Sequence, residues 1–177
     1  VMEAMTENVE ITITYQKYTS SSENIYTVRP YAVKEHAKRW YILAYCVERK
    51  AMRVYGLDRI RNLSLTAKKF KMPHDFDVDA EFATSFGIYI TDEKPKTIRF
   101  RVSETEAKFI RDLPIHRSQA EEGHDDKGVI FNIFVCMDDN LIMEFCKYGS
   151  RLEVLSPSEV RNAVAEQLES ACRIYKD

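Results

Sequence analysis

Residues 39–60 read RWYILAYCVERKAMRVYGLDRI, and the pattern of this stretch indicates the architecture of the first half of the chain. Residues 40–47 are apolar at every position, which is typical of a central strand with both faces buried. The polar pair at residues 49–50 then turns the chain back into a second strand at residues 52–57. This stretch therefore predicts an antiparallel hairpin.

The aromatic pair at the start of the central strand points to two different surfaces. Successive side chains of a strand lie on opposite faces, so Trp40 and Tyr41 are separated by the sheet. Because large aromatic side chains are usually mostly buried, we expect Trp40 in the core. Tyr41 is then expected on the solvated face.

Three further strands flank the hairpin. Residues 9–15 alternate between apolar and polar side chains, which predicts a half-buried strand. A second strand at residues 25–28 is expected to end near Pro30, because proline cannot donate to a central ladder. Residues 59–66 form the fifth strand. Five short strands with tight polar turns predict a small SH3-like or Sm-like β-barrel.

The second half of the chain alternates strands with helices. Ser103 and Glu106 form a capping box, Asp139 is a candidate N-cap, and the run 156–159 (SPSE) is typical of a helix start. The predicted strands are 98–102, 115–121, 129–136 and 151–155, and the predicted helices run over 103–113, 139–149 and 157–175. The order βαββαβ with a final helix predicts a ferredoxin-like domain.

These elements divide the chain into four segments and place it in the α+β class. Residues 1–8 are interpreted as the end of a linker helix and residues 9–70 as the barrel. Residues 71–96 are a connector punctuated by proline and glycine, and residues 97–177 form the second domain.

The net charge of −2 conceals a strongly basic block. Between Arg29 and Lys71 there are 12 lysines and arginines against three acids, a local charge of +9. A basic block inside a nearly neutral protein indicates a polyanionic partner, although a solvated face gives the same composition.

Composition excludes several classes of protein. No apolar run is long enough to span a bilayer and no signal peptide is recognisable, so we expect a cytoplasmic protein without a membrane partner. The four cysteines and four histidines lack metal-ligand spacing, so we expect neither a metal site nor a cofactor. His116 and Ser118 invite a catalytic interpretation, but no nucleophile elbow surrounds the serine, and no P-loop or dinucleotide fingerprint is present. We predict no enzymatic activity.

Several separate motifs are similar to those of one known family. The segments 28–31 (VRPY), 39–43 (RWYIL) and 53–60 (RVYGLDRI) closely resemble the WYL domain, and 114–119 (PIHRSQ), 145–149 (FCKYG) and 154–157 (VLSP) resemble its C-terminal extension. Ile42 stands in place of the leucine of the family name. Gly56 stands where many members carry a second arginine, which removes one candidate phosphate contact.

The resemblance implies a bacterial transcriptional regulator. Its members combine an N-terminal winged helix-turn-helix, a WYL barrel and the extension, act as homodimers, and bind single-stranded nucleic acid, a nucleotide or another effector in the barrel. Residues 1–8 read as a helix whose beginning is missing, so we expect a helix-turn-helix domain upstream of Val1 that contacts DNA. We expect this chain to be the effector-sensing and dimerisation region.

Candidate ligand-binding residues follow from the same resemblance. Single strands are bound by cationic grooves and by aromatic rings on which bases stack. The candidates at matching basic and aromatic positions are Tyr15, Arg39, Tyr41, Arg53 and Arg59.

Other interpretations of these residues stay open. Arg59 follows Asp58, so the two could form a structural ion pair, and Tyr15 could serve strand packing alone. For the whole domain, the alternatives are a protein-interaction module that docks an acidic partner or its own helix-turn-helix domain, and a barrel-based nuclease.

Overall fold

The computed structural model describes residues 1–176 and arranges the chain in two compact units. The first unit holds residues 1–82 together with 87–90, and the second holds residues 83–86 together with the chain from Thr91 onward. Each unit is built on one antiparallel sheet with helices, which confirms the α+β class. In the described part of the chain, no helix is long and apolar enough to cross a membrane.

The first unit contains five strands and two short helices. Its elements are α1 (Met2–Glu7), β1 (Val9–Gln16), β2 (Glu23–His36), β3 (Arg39–Cys46), β4 (Ala51–Gly56), β5 (Ile60–Lys69) and α2 (Val78–Glu81). The strands form one sheet in the order β4-β3-β2-β1-β5, and every neighbouring pair is antiparallel.

This sheet curls strongly but does not close. The backbone N–H of Gly56, at the end of β4, donates to the Tyr15 hydroxyl of β1 at 3.3 Å, although β2 and β3 lie between these strands in the sheet. Within residues 1–176 no ladder joins β4 to β5. The five antiparallel strands are therefore as predicted, whereas a closed barrel is not confirmed.

The prediction that the second strand ends near Pro30 is wrong, because β2 continues to His36. Pairing of β2 with β1 ends at Val28, so the missing N–H of Pro30 leaves no gap in that ladder. On the other side, the register with β3 shifts between Pro30 and Ala32. The irregularity accommodates the proline within a continuous strand.

The predicted assignment of Trp40 and Tyr41 is also wrong. Both faces of β3 are buried, since Ile42 packs into one core cluster of the unit and Leu43 into another. Trp40 is 54% exposed because it lies at the hairpin end of β3, opposite Glu35 and beyond the core. Tyr41 is only 5% exposed and packs beside Leu43.

The second unit packs three helices with a four-stranded sheet. Its elements are β6 (Lys96–Val102), α3 (Glu104–Asp112), β7 (Ala120–Asp125), β8 (Gly128–Val135), α4 (Asp139–Lys147), β9 (Leu152–Ser156) and α5 (Ser158–Ile174). The strand order is β7-β8-β6-β9, all antiparallel. Phe100, Phe131 and Phe145 lie fully buried in its core.

In this unit the structure confirms one local signal of the sequence and corrects two. Ser103 caps α3, as predicted, with its Oγ accepting from the Glu106 N–H at 3.2 Å. The N-cap of α4 is Asp138 rather than Asp139. The strand predicted at 115–121 begins only at residue 120. The Gln119 side chain accepts from the Ile115 N–H at 3.0 Å, and this local bond holds the segment in a turn.

Candidate functional site

The first unit carries a pocket of about 470 Å³, a volume within the range of small-molecule sites. Its walls come from the end of β1, the β1–β2 turn, β2, the β3–β4 turn, β4, the 3₁₀ turn at 57–59 and residues 89–90. The lining residues are Tyr15, Lys17, Tyr18, Thr19, Tyr26, Arg49, Arg53, Val54, Tyr55, Arg59, Tyr89 and Ile90. Four of them are basic, none is acidic and five are tyrosines. The pocket is therefore both cationic and aromatic.

Three of the tyrosines form a continuous row. The ring of Tyr55 meets that of Tyr15 edge-on at 5.1 Å and that of Tyr26 at a tilt at 5.8 Å. Tyr15 and Tyr26 lie on paired strands, where Tyr15 is opposite Asn24 and Tyr26 is its diagonal neighbour. Tyr55 comes from β4, and the curl of the sheet brings it to them. Burial raises the pKa of the Tyr15 and Tyr55 hydroxyls, so both stay protonated.

Arg59 is enclosed by aromatic rings. It is only 8% exposed, and its guanidinium carbon lies 5.6 Å from the Tyr15 ring centroid, 5.2 Å from that of Tyr18 and 5.7 Å from that of Tyr41. Cations positioned within about 6 Å of a ring face are attracted to it. Among residues 1–176, its Nε and Nη2 atoms are buried without a hydrogen-bond acceptor. A buried guanidinium with unsatisfied donors is costly and points to a role for its charge.

Gly56 makes room for this arginine. A Cβ atom added at position 56 would lie 2.3 Å from Nη2 of Arg59 and 2.6 Å from Oδ1 of Asp58. The backbone at Gly56 is extended, with φ −69° and ψ 130°, so no special conformation requires a glycine there. The missing side chain therefore provides space for the guanidinium.

Asp58 is shared among several groups at the rim. Its Oδ2 accepts from the Tyr18 hydroxyl at 2.5 Å and lies 3.6 Å from Nη1 of Arg39, and its Oδ1 lies 3.5 Å from Nε of Arg59. The hydrogen bond from Tyr18 is the main reason why the pKa of Asp58 is held below its ordinary value. The ion pair of Asp58 and Arg59, one of the two interpretations that the sequence leaves open for Arg59, is thus present. One carboxylate faces two guanidinium groups, so positive charge predominates here.

A second arginine covers the other end of the tyrosine row. The guanidinium carbon of Arg49 lies 5.2 Å from the Tyr26 ring centroid, and its Nη2 donates to the Tyr26 hydroxyl at 2.9 Å. That hydrogen bond is the main reason why the pKa of Arg49 is raised. Arg53, on β4, donates from Nη1 to the Met52 carbonyl at 2.8 Å.

Two family profiles match the chain. The WYL domain matches residues 1–65 and the WCX domain matches residues 94–172. The chain thus carries a WYL domain followed by a WCX domain. Ten of the twelve lining residues lie within the WYL match, whereas Tyr89 and Ile90 lie between the WYL and WCX matches.

Solved structures also resemble the chain. The proteasome accessory factor B/C (PafBC) of Arthrobacter aurescens is 21% identical, with a TM-score of 0.43, over 99% of this chain and 26% of that one. A CRISPR Cas-related protein is 13% identical, with a TM-score of 0.63, over 99% of this chain and 49% of that one. The second likeness shows a shared fold. The chain thus spans from a quarter to half of the length of these proteins, and no curated protein matches it.

Three of the five candidate residues predicted from the sequence line the pocket: Tyr15, Arg53 and Arg59. Tyr41 does not line it and lies behind Arg59 instead. Arg39 lies at the rim, where its Nη1 donates to the Tyr18 hydroxyl at 3.2 Å.

The candidates from the sequence leave out six lining residues that carry aromatic or basic groups: Lys17, Tyr18, Tyr26, Arg49, Tyr55 and Tyr89. Tyr18 and Lys17 lie in a Ser-rich turn with no periodic pattern. The sequence indicates for Arg49 only a position in a turn. The position of Tyr55 had a usable signal, because it shares a strand face with Arg53.

His116 and Ser118, the pair that invited a catalytic interpretation, serve the backbone of the WCX domain. Nδ1 of His116 lies 2.7 Å from Oγ of Ser118, and Oγ also accepts from the Phe134 N–H at 2.8 Å. This arrangement ties the turn to β8. Among residues 1–176, no cluster of three His, Cys, Asp or Glu side chains is arranged to hold a metal ion.

Proposed function

We propose that this chain is the ligand-sensing and dimerisation region of a bacterial WYL-type transcriptional regulator, and that its WYL pocket binds a nucleotide or a short single-stranded nucleic acid. The observation that carries the proposal is the lining of the pocket, which has four basic side chains, five tyrosines and no acidic residue. Phosphate recognition needs cationic donors and base recognition needs ring faces, and this pocket supplies both.

The arrangement favours a nucleotide over a simple inorganic anion. A phosphate alone uses the guanidinium groups but not the exposed tyrosine rings of the lining, those of Tyr18 and Tyr89. Stacking of a base on an aromatic ring contributes about 1–3 kcal/mol per base. Arg59, nine-tenths buried with two unsatisfied nitrogens, supplies a field that an incoming anion neutralises.

We assign dimerisation to the WCX domain. In α5, only Val160 and Val164 are buried, whereas Leu168 is 36% and Ile174 is 74% exposed. A second copy of the chain would cover this apolar stripe. Sedimentation should give a mass of two chains at micromolar concentration, and a mass of one chain across that range contradicts dimerisation.

The proposal also covers the fold of each unit and the contact with DNA. We assign the curled sheet of the first unit to the SH3-like barrels and the sheet of the second unit to the ferredoxin-like folds. The strand order β7-β8-β6-β9 supports the latter. By resemblance to WYL-type regulators, DNA is contacted by a helix-turn-helix domain outside residues 1–177, and the chain itself catalyses no reaction.

Fluorescence anisotropy with a labelled short oligothymidylate at several salt concentrations tests the ligand. Each phosphate neutralised on a single strand contributes about −0.7 to the slope of log affinity against log salt, so three arginines give a slope of about −2. Arg53→Ala should weaken binding and flatten the slope. Tyr89→Leu should weaken binding about tenfold, the value of one lost stacking contact, and leave the slope unchanged.

Arg61→Ala is the matched control. Arg61 lies on the exposed face of β5, outside the pocket lining, where its guanidinium binds Oε1 of Gln16 at 3.0 Å. This change should leave both affinity and slope close to wild type. If the wild-type chain does not bind at low salt, or if Arg53→Ala and Arg61→Ala have equal effects, the pocket is not a nucleic-acid site and the interpretation as a protein-interaction module takes its place.

A further inference from the structure

We propose that Tyr18 is a lid over Arg59, latched by its hydrogen bond to Asp58, and that a phosphate group pairs with Arg59 after this latch opens. The assignment rests on the proposed function and adds the residue that controls access to the buried arginine of the pocket. The contacts that join Tyr18 to Asp58 and Arg59 carry it.

Arg59 belongs to the pocket wall but is largely closed off, since 10% of its side chain is exposed. Its guanidinium lies beside the rings of Tyr15, Tyr18 and Tyr41. Tyr15 and Tyr41 lie on β1 and β3 and are each 5% exposed, so the core holds them in place. The Tyr18 ring is 68% exposed. Of these three rings, Tyr18 is therefore the one that can move aside without disturbing the core.

Tyr18 lies in the serine-rich turn at residues 17–22, which joins β1 to β2. Other hydrogen bonds of this turn are local, such as the one from the Ser20 N–H to the Lys17 carbonyl at 3.1 Å. Local bonds give the turn its shape but do not hold it against Arg59. The turn can therefore carry the Tyr18 ring away while the strands on both sides stay paired.

The bond that holds Tyr18 down joins residues 40 positions apart in the sequence. The Tyr18 hydroxyl donates to Oδ2 of Asp58 at 2.5 Å and accepts from Nη1 of Arg39 at 3.2 Å. Oδ1 of the same carboxylate lies 3.5 Å from Nε of Arg59. Asp58 thus holds the lid with one oxygen and faces the buried guanidinium with the other. A phosphate that pairs with Arg59 takes the place of this carboxylate.

A latched lid lowers the apparent affinity for the ligand. Only the fraction of molecules with an open lid binds, so the apparent dissociation constant is the intrinsic one divided by that fraction. One hydrogen bond of ordinary net strength changes an equilibrium constant by about three- to tenfold. Loss of the latch should therefore raise the open fraction by about the same factor.

The substitution Tyr18→Phe tests the latch, because it keeps the ring over Arg59 and removes the hydroxyl that bonds to Asp58. Stopped-flow anisotropy with the labelled oligothymidylate should show association about three- to tenfold faster than in the wild-type chain, with the dissociation rate close to the wild-type value. A ring with a merely structural role would instead give unchanged association and faster dissociation.

Tyr45→Phe is the matched control. Tyr45 lies on β3, outside the pocket lining, with the guanidinium carbon of Arg29 5.5 Å from its ring centroid. The same chemical change is thus made beside another arginine of the first unit. Both rates should stay at their wild-type values.

Phenylglyoxal, which modifies accessible guanidinium groups, tests the lid without a ligand. Mass spectrometry should show Arg59 modified faster in Tyr18→Phe than in the wild-type chain by the same factor as the association rate, because one open fraction governs both. Arg61, exposed on β5, should react equally in the two chains and serves as the internal reference.

The results separate this inference from the proposed function. If the wild-type chain binds the oligothymidylate but Tyr18→Phe changes neither its association rate nor the modification rate of Arg59, the lid is overturned and the nucleotide site stands. Slower association or faster dissociation in Tyr18→Phe also overturns the lid. If the wild-type chain does not bind at low salt, the proposed function fails, and the modification rate of Arg59 alone decides whether Tyr18 covers it.

Discussion

The substitution Gly56→Ala addresses the least typical feature of the pocket, a guanidinium packed against a residue without a side chain. The new Cβ would lie 2.3 Å from Nη2 and 2.7 Å from Nε of Arg59. Real Cβ atoms do not approach other atoms so closely, so something must move. The backbone at position 56 is extended, which alanine adopts without strain, and the far end of the Arg59 side chain is the mobile element.

The cost follows from the contacts that Arg59 would lose. It lies over three rings, and cation–π contacts contribute from about 0.5 to about 2 kcal/mol each, according to their desolvation. Partial loss of these contacts should destabilise the first unit by about 1–3 kcal/mol. Alanine recovers about 0.4–1 kcal/mol by reducing the conformational freedom of the unfolded chain. We expect a net loss of about 1–2 kcal/mol by urea unfolding.

A double-mutant cycle with Arg59→Ala isolates the cause. Without the guanidinium, Gly56→Ala should be neutral or stabilising, because Asp58 has a 37% exposed side chain that is able to rotate away. The coupling free energy should then be about 1–3 kcal/mol, as found for side chains in direct contact. Additive effects of the two changes refute the claim that Gly56 accommodates Arg59.

Two further predictions concern other parts of the chain. Phe100→Ala removes a fully buried ring from the core of the second unit and should lower the free energy of urea unfolding by about 3–5 kcal/mol. Phe109→Ala, at a 66% exposed position of α3, should change it by no more than about 0.5 kcal/mol. Equal losses contradict the assigned core. Tyr18→Phe removes the hydrogen bond that holds the pKa of Asp58 below its ordinary value, so the pKa in the variant should rise towards that value. A carboxyl group whose pKa is lowered by folding stabilises the folded state when the pH is above the pKa of the unfolded state. This contribution is lost as the pH falls through the folded-state pKa. The Tyr18→Phe variant should therefore lose less stability than the wild type on acidification below the ordinary aspartate range. Carbon-detected NMR titration of Asp58 measures this pKa directly, and an unchanged value contradicts the assigned cause.

Much of the fold follows from local sequence because the deciding forces are local. The apolar run of β3 fixes a strand buried on both faces, and Ser103 caps α3 through a bond that spans three residues. Such signals depend on neighbours in the chain. They do not reveal where a strand ends relative to the core, which is why Trp40 was placed inside although it lies at the hairpin tip.

The site was harder to predict because it depends on the curl of the sheet. Tyr55 on β4 reaches Tyr15 on β1 only because two intervening strands curl, and no periodicity encodes that contact. The same curl brings the Arg49 turn beside Tyr26. Motif resemblance identifies Arg59 and Arg53. The alternation of side chains along the strand predicts Tyr41 on the solvated face, whereas Tyr41 is 5% exposed and packs behind Arg59.

NMR titration of the isotope-labelled chain with a short oligothymidylate shows both whether the ligand binds and where it binds. If the WYL pocket is the nucleic-acid site, resonances of Tyr15, Tyr55 and Arg59 should shift and saturate with one common dissociation constant, while those of the exposed basic residues Lys68 and Lys69 on β5 stay in place. Unsaturated shifts spread over the basic surface, with the pocket resonances unchanged, would contradict it.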